Sequence, residues 1–127
     1  MNKKIILAVA IPLAVALTIT VNQLDIGSGT GYTPVVYEVV RDASGYKPRE
    51  LDINLGDTVR FISTYDNHHW PASDLHPTHG VYPDFDPRRP IATDEVWEFS
   101  FDQVGEWKYH DHLRANVIGI INVVSPK

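Results

Sequence analysis

An all-β domain, an antiparallel Greek-key β-sandwich behind an N-terminal hydrophobic helix, is the fold class the sequence predicts, and three observations predict it. Beyond residue 31 no stretch of ten residues or more carries the apolar period of 3.6 that an amphipathic helix needs. Short segments rich in β-branched and aromatic residues recur instead, with apolar and polar side chains alternating. Turn residues separate them, as at Gly56-Asp57 and at 102–105, and this spacing of short strands is that of a sandwich.

Taken in order, the chain opens on a basic head, Met-Asn-Lys-Lys, followed by residues 5–21 without a charge. A secretory signal and a membrane anchor share these features. A spanning helix uses about 20 apolar residues, and a signal wants a small-x-small cleavage site after its apolar run. The pairs Ala8/Ala10 and Ala14/Ala16 lie inside the run, which tilts the reading towards an uncleaved anchor. Either alternative exports the domain and leaves the lysines in the cytoplasm. Residues 1–26 are therefore assigned to the signal peptide or anchor and 27–34, with Gly27, Gly29 and Gly31, to a flexible linker. The folded domain is expected over 35–127.

Within it, 35–41 is β-branched and 51–55 alternates Leu-Asp-Ile-Asn-Leu. After the Gly56-Asp57 turn, 59–63 continues as the next strand. Residues 95–101 place Trp97, Phe99 and Phe101 on one face; 105–111 and 118–124 supply the last two strands. Between the strands at 59–63 and 95–101, the region 65–91 is irregular and holds five prolines, four histidines and, beyond Tyr65, the aromatics Trp70, Tyr82 and Phe85. A loop of that length in a small domain is functional or disordered, and its aromatics favour an ordered, functional one. The tip carrying Asp84, Asp86, Arg88 and Arg89 reads as a solvated charged face.

Composition excludes several functions. The net charge is −5, and no Lys/Arg cluster exists beyond Arg88-Arg89, so nucleic acid is not expected as a partner. The acidic balance suits either a basic envelope protein partner or solubility alone. With no cysteine, disulfides, thiolate zinc sites, iron–sulfur clusters and cysteine nucleophiles are all ruled out. No Gly-x-Ser-x-Gly elbow or phosphate loop appears.

All six histidines fall within 68–112, and imidazole suits copper, zinc, iron and nickel. The segment Gly-Glu-Trp-Lys-Tyr-His-Asp-His at 105–112 reads as a strand ending in three potential ligands. On a regular strand His110 and His112 share a face and could chelate one ion, whereas Asp111 points with Trp107 and Tyr109 to the core side. A carboxylate facing the core is costly unless paired or coordinated. Asp111 could bind metal, hold a ligand histidine in its tautomer, or form an ion pair with Arg114. His76 and His79, three apart across Pro77, could reach one ion or serve as loop-stabilising donors. His68 and His69, being adjacent in an extended segment, face apart. Six imidazoles exceed the need of one ion, so two sites or some purely structural members are expected.

The run 46–61, Tyr-Lys-Pro-Arg-Glu-Leu-Asp-Ile-Asn-Leu-Gly-Asp-Thr-Val-Arg-Phe, together with 90–101 and 105–124, resembles the cupredoxin family of small β-sandwich copper proteins. The resemblance implies a histidine ligand after the Gly-Asp-x-Val strand, matched best by His69 and next by His68. It places Asp111 where the family has its copper-binding cysteine, and Ala115, Asn116 and Val117 where its later histidine and methionine fall. His110-Asp111-His112 also resembles the His-Cys-His triplet of multicopper oxidases with its cysteine replaced, and His76-Pro77-Thr78-His79 resembles their His-Pro-x-His element. Without the thiolate a blue site cannot form, and nitrogen and oxygen ligands favour a pale Cu(II) site, with zinc as the alternative metal. The candidate ligands are thus His68, His69, His76, His79, His110, Asp111 and His112. The expected function is copper binding, delivery or storage at the cell envelope, in the periplasm or at the surface, by a protein more readily a binder than an enzyme. The alternatives are a redox-active copper protein, as an electron carrier or small oxidoreductase, and a metal-free interaction module.

Overall fold

The computed structural model describes residues 31–65 and 67–127, so the segment assigned to a leader or anchor and the first half of the expected linker, 27–30, lie outside the described residues. The described residues form eight strands: β1 (Val36–Asp42), β2 (Gly45–Lys47), β3 (Glu50–Asn54), β4 (Thr58–Ser63), β5 (Pro71–Ser73), β6 (Val96–Ser100), β7 (Gly105–Asp111) and β8 (Arg114–Val124). They build two four-stranded sheets, ordered β2-β1-β4-β6 and β3-β8-β7-β5. Among the described residues no helix is long and apolar enough to cross a membrane.

The β-sandwich is as the patterning predicts, but its sheets are mixed rather than purely antiparallel. β1 runs parallel to β4, and β3 parallel to β8. The cause is the path of the chain. After β1 and β2 the chain crosses to the opposite sheet as β3, and it returns as β4 in the direction in which β1 ran. Two elements were not legible in the sequence, the short β2 and β5. β5 adds Pro71 to Ser73 to the edge of β7 from inside the segment that reads as irregular, in register with Asp111 to Tyr109.

The Gly56-Asp57 turn joins the sheets. Gly56 has a φ of +93°, a conformation that favours glycine. Asp57 is buried, and its carboxylate accepts the N–H groups of Val35 at 2.7 Å and Asn54 at 2.8 Å and the phenol of Tyr32. Those bonds satisfy a charge that would otherwise be costly to bury. Alternation places Val39, Val59, Phe61, Phe101, Tyr109, Ile121 and Val123 in the core. Tyr109 lies opposite Gly119 on β8, and a Cβ on Gly119 would stand 2.3 Å from the Tyr109 ring. Only glycine fits there.

The long segment between β5 and β6 is not a loose loop. Tyr82 and Phe85 from it are fully buried in the same core. Phe85 stacks on Trp97 and Phe99 at ring distances of 5.9 and 5.2 Å, and Tyr82 lies 4.7 Å from Trp107. Rings of this size bury large apolar areas. Ser73 N–H to Phe85 C=O (2.9 Å) and Val81 N–H to Asp74 C=O (2.9 Å) close the segment against β5. The segment that carries His76 and His79 is therefore anchored in the core through Tyr82 and Phe85.

Candidate metal centre

His110 sits near the end of β7 with its neighbours Tyr109 and Asp111 turned to the other face, as the period of two requires. Tyr109 joins the core, and Asp111 reaches Arg41 on β1 of the opposite sheet. His110 thus points away from the core, towards the segment after β5, and that segment covers it to 2% exposure. A register shift at His110/Asp111 turns the chain, and the His112 N–H donates to the Trp70 carbonyl at 2.8 Å. This places the His112 ring on the Trp70 indole, 4.4 Å between centroids.

Four imidazoles meet there. His76, His79, His110 and His112 each offer one ring nitrogen, and these four atoms lie within 4.8 Å of one another. Nδ1 of His76 is 3.2 Å from Nε2 of His110, and Nε2 of His79 is 2.9 Å from Nδ1 of His112. Ligands about 2.0–2.1 Å from one ion stand roughly 3–4 Å apart. The spacing fits a single four-coordinate cation.

Two carboxylates aim the set. Nδ1 of His110 is 2.9 Å from Asp74 Oδ1, and Nδ1 of His79 is 2.7 Å from Asp86 Oδ2. Each Nδ1–H donates to its carboxylate, which leaves Nε2 as a lone pair directed into the cluster, the arrangement that metal-bound histidines use. Those two Nε2 atoms are the ones that face His76 Nδ1 and His112 Nδ1. Asp86 is itself held by the Trp70 indole N–H (2.8 Å) and the Arg88 N–H (2.7 Å). His79 adopts a φ of +55°, sparsely populated for a side chain of its size, with its N–H donating to the Leu75 carbonyl at 2.6 Å. Burial, and then the neighbouring imidazoles, hold His112 below the ordinary histidine pKa. An imidazole that resists protonation keeps its lone pair available.

The remaining sequence candidates lie elsewhere. His68 is exposed, and its carbonyl accepts from Arg114 at 3.3 Å. His69 is fully buried beside Tyr46 (6.2 Å between rings) and is held by its backbone against Ile91. Neither of its ring nitrogens has a hydrogen-bond partner among the described residues. Asp111 is engaged by Arg41 Nε (3.3 Å), the N–H groups of Trp70 (3.0 Å) and Leu113 (3.1 Å) and, at 3.7 Å, Arg114. The structure therefore brings together His76, His79, His110 and His112 and leaves His68, His69 and Asp111 outside that group.

Asp74, Asp86 and Trp70 were not legible as parts of a site. Asp86 reads in the sequence as part of a solvated charged tip, yet its carboxylate turns inward to His79. No spacing rule marks Asp74. One available signal was the pairing of each aspartate with a histidine in a segment rich in buried aromatics.

The buried His69 sets a pH dependence. Burial above all, opposed by the charge of Asp111 and reinforced by that of Arg41, pulls its pKa from 6.5 down to about 4. Above 6.5 the ring is neutral in folded and unfolded chains alike. Below it, the unfolded chain takes up a proton that the folded one refuses, so stability falls with pH between 6.5 and about 4, by up to about 3 kcal/mol. His69→Phe should lose correspondingly less between pH 7 and pH 4.5 in urea titrations. Equal losses in the two proteins would show that His69 does not carry this part.

No family profile and no characterised protein matches the chain by sequence. Solved structures do match in shape. A purple cupredoxin from Nitrosopumilus maritimus is 19% identical, with a TM-score of 0.57 over 69% of this chain and 99% of that one. Amicyanin is 20% identical at a TM-score of 0.61, covering 70% of this chain and 82% of its own. A Cu-containing nitrite reductase from Thermus scotoductus is 22% identical at 0.60, over 79% of this chain but 25% of the enzyme. The chain has the cupredoxin fold, without the cysteine that the family's copper site uses.

Proposed function

We propose that the protein binds copper, as Cu(II), through His76, His79, His110 and His112, and that it serves copper binding, delivery or storage outside the cytoplasm. One observation carries the reading: four ring nitrogens converge within 4.8 Å, two of them oriented from behind by carboxylates. All-imidazole donors suit Cu(II) and place it ahead of zinc in the usual order of affinity. The fold is that of proteins whose names describe them as copper proteins. The basic head and uncharged run at 1–21 support an extracytoplasmic location, with the glycine-rich linker giving a tethered domain reach towards an envelope partner.

A purified chain titrated with Cu(II) tests this. It should take up one equivalent, give nitrogen hyperfine structure from the imidazoles in electron paramagnetic resonance, and lack the intense thiolate-to-copper absorption of blue sites. A signal indistinguishable from copper in buffer would end the proposal.

A further inference from the structure

The four ligands are not held alike. His110 stands on β7, buried, with Asp74 behind its Nδ1 at 2.9 Å. His79 is buried, bonded through its own N–H to the Leu75 carbonyl and backed by Asp86 at 2.7 Å, and Asp86 is clamped from two further sides. His112 is half-buried against Trp70 and fixed by its N–H. His76 differs from all three. It is exposed, as are Leu75, Pro77 and Thr78 around it. Among the described residues its ring makes one polar contact, Nδ1 to His110 Nε2 at 3.2 Å, and no carboxylate stands behind it.

We propose that His76 is the exchangeable ligand of this centre, the position at which cargo metal enters and is handed to an incoming donor. The inference rests on the four-imidazole copper reading above. The one polar contact that orders the His76 ring uses the same nitrogen that would face the ion, so a loaded site retains this ring by the metal bond and by contact with the His110 and His112 rings (5.1 and 4.7 Å between centroids), with no hydrogen bond behind it among the described residues. Releasing it breaks the metal bond, returns the imidazole to water and restores side-chain freedom. Releasing His79 or His110 also requires breaking a hydrogen bond to a carboxylate, and releasing His112 requires leaving the Trp70 indole, all at buried or half-buried positions. The step is a ligand substitution. An imidazole, carboxylate or thiolate donor forms a bond to the ion as the bond to His76 Nδ1 breaks. The donor pair returns to the ring, and no electron is transferred. The three remaining rings form the open site from which the cargo passes on.

The test uses the full-length chain loaded with one equivalent of Cu(II) and measures both affinity and the rate of transfer to EDTA. His76→Ala should remain folded, bind one equivalent with three-nitrogen hyperfine structure, and lose no more than about tenfold in affinity while transferring at least tenfold faster. His110→Ala should lose on the order of 100-fold in affinity. If His76→Ala loses affinity as severely as His110→Ala, or transfers at the wild-type rate, His76 is not the exchangeable ligand. Failure of the wild-type chain to load at all would instead remove the four-imidazole reading on which this one stands.

Discussion

Replacing His79 and His110 together by alanine is expected to abolish high-affinity copper binding while leaving the sandwich folded. Site-forming metals contribute about 10–16 kcal/mol when four ligands hold them, so a firmly held ligand such as His79 or His110 accounts for roughly 3 kcal/mol, on the order of 100-fold in affinity. Two ligands lost together amount to about 10,000-fold. His79 and His110 are chosen because, among the described residues, they alone of the four have carboxylates fixing the opposite nitrogen, so the variant removes both preoriented lone pairs. The fold should tolerate it, because Asp74 is about one-third exposed and Asp86 keeps the Trp70 and Arg88 bonds. Isothermal titration with Cu(II) and far-ultraviolet circular dichroism read the two consequences separately. His68→Ala and His69→Phe serve as controls and should bind as the wild type does, since neither ring joins the cluster. A double variant that binds within tenfold of wild type would remove these residues from the site.

How much of this was legible in the sequence follows from the range over which each signal acts. Strand alternation is local, and it suffices for β1, β3, β4, β6 and β7, whose spans the sequence gives to within a residue or two. The same parity separates His110 from Asp111. What is not local was lost. β2 and β5 have three residues each, too short for a period of two to register, and they exist because a neighbouring edge is there to pair with. The parallel pairs depend on which sheet a strand enters, and alternation is silent on that. In the site, the two histidine pairs stand out by spacing, but their meeting depends on Tyr82 and Phe85 anchoring the segment between β5 and β6 in the core. Asp74 and Asp86 become meaningful only once that anchoring is known. The resemblance to cupredoxins favoured His69 as a ligand because its place after β4 matches; that ring lies buried beside Tyr46 and is not one of the four whose nitrogens converge.

Asp111→Ala should be the most damaging single substitution for stability, and for a reason unrelated to metal. Asp111 is fully buried, and Arg41, its partner across the sandwich, is 2% exposed. Removing one member of a buried ion pair leaves an uncompensated charge and costs about 3–5 kcal/mol. Here the N–H groups of Trp70 and Leu113 lose their acceptor as well. In a domain of this size each kcal/mol lowers the melting temperature by roughly 4–8 °C, so a fall of at least about 12 °C is expected. Arg114, at 3.7 Å and partly exposed, can turn to solvent; Arg41 cannot. The companion variant Arg41→Met with Asp111→Leu separates the causes, since replacing a whole buried pair by apolar side chains is often neutral or stabilising. It should recover most of the loss in thermal melts and urea titrations. If Asp111→Ala alone costs less than about 1 kcal/mol, the ion pair is not what holds the two sheets together at this end. The expected result assigns the two faces of β7 different work. At the position where the resemblance places a copper-binding cysteine, the inward face carries a carboxylate that ties the sheets through a guanidinium. The outward face, one residue to either side, carries the imidazoles.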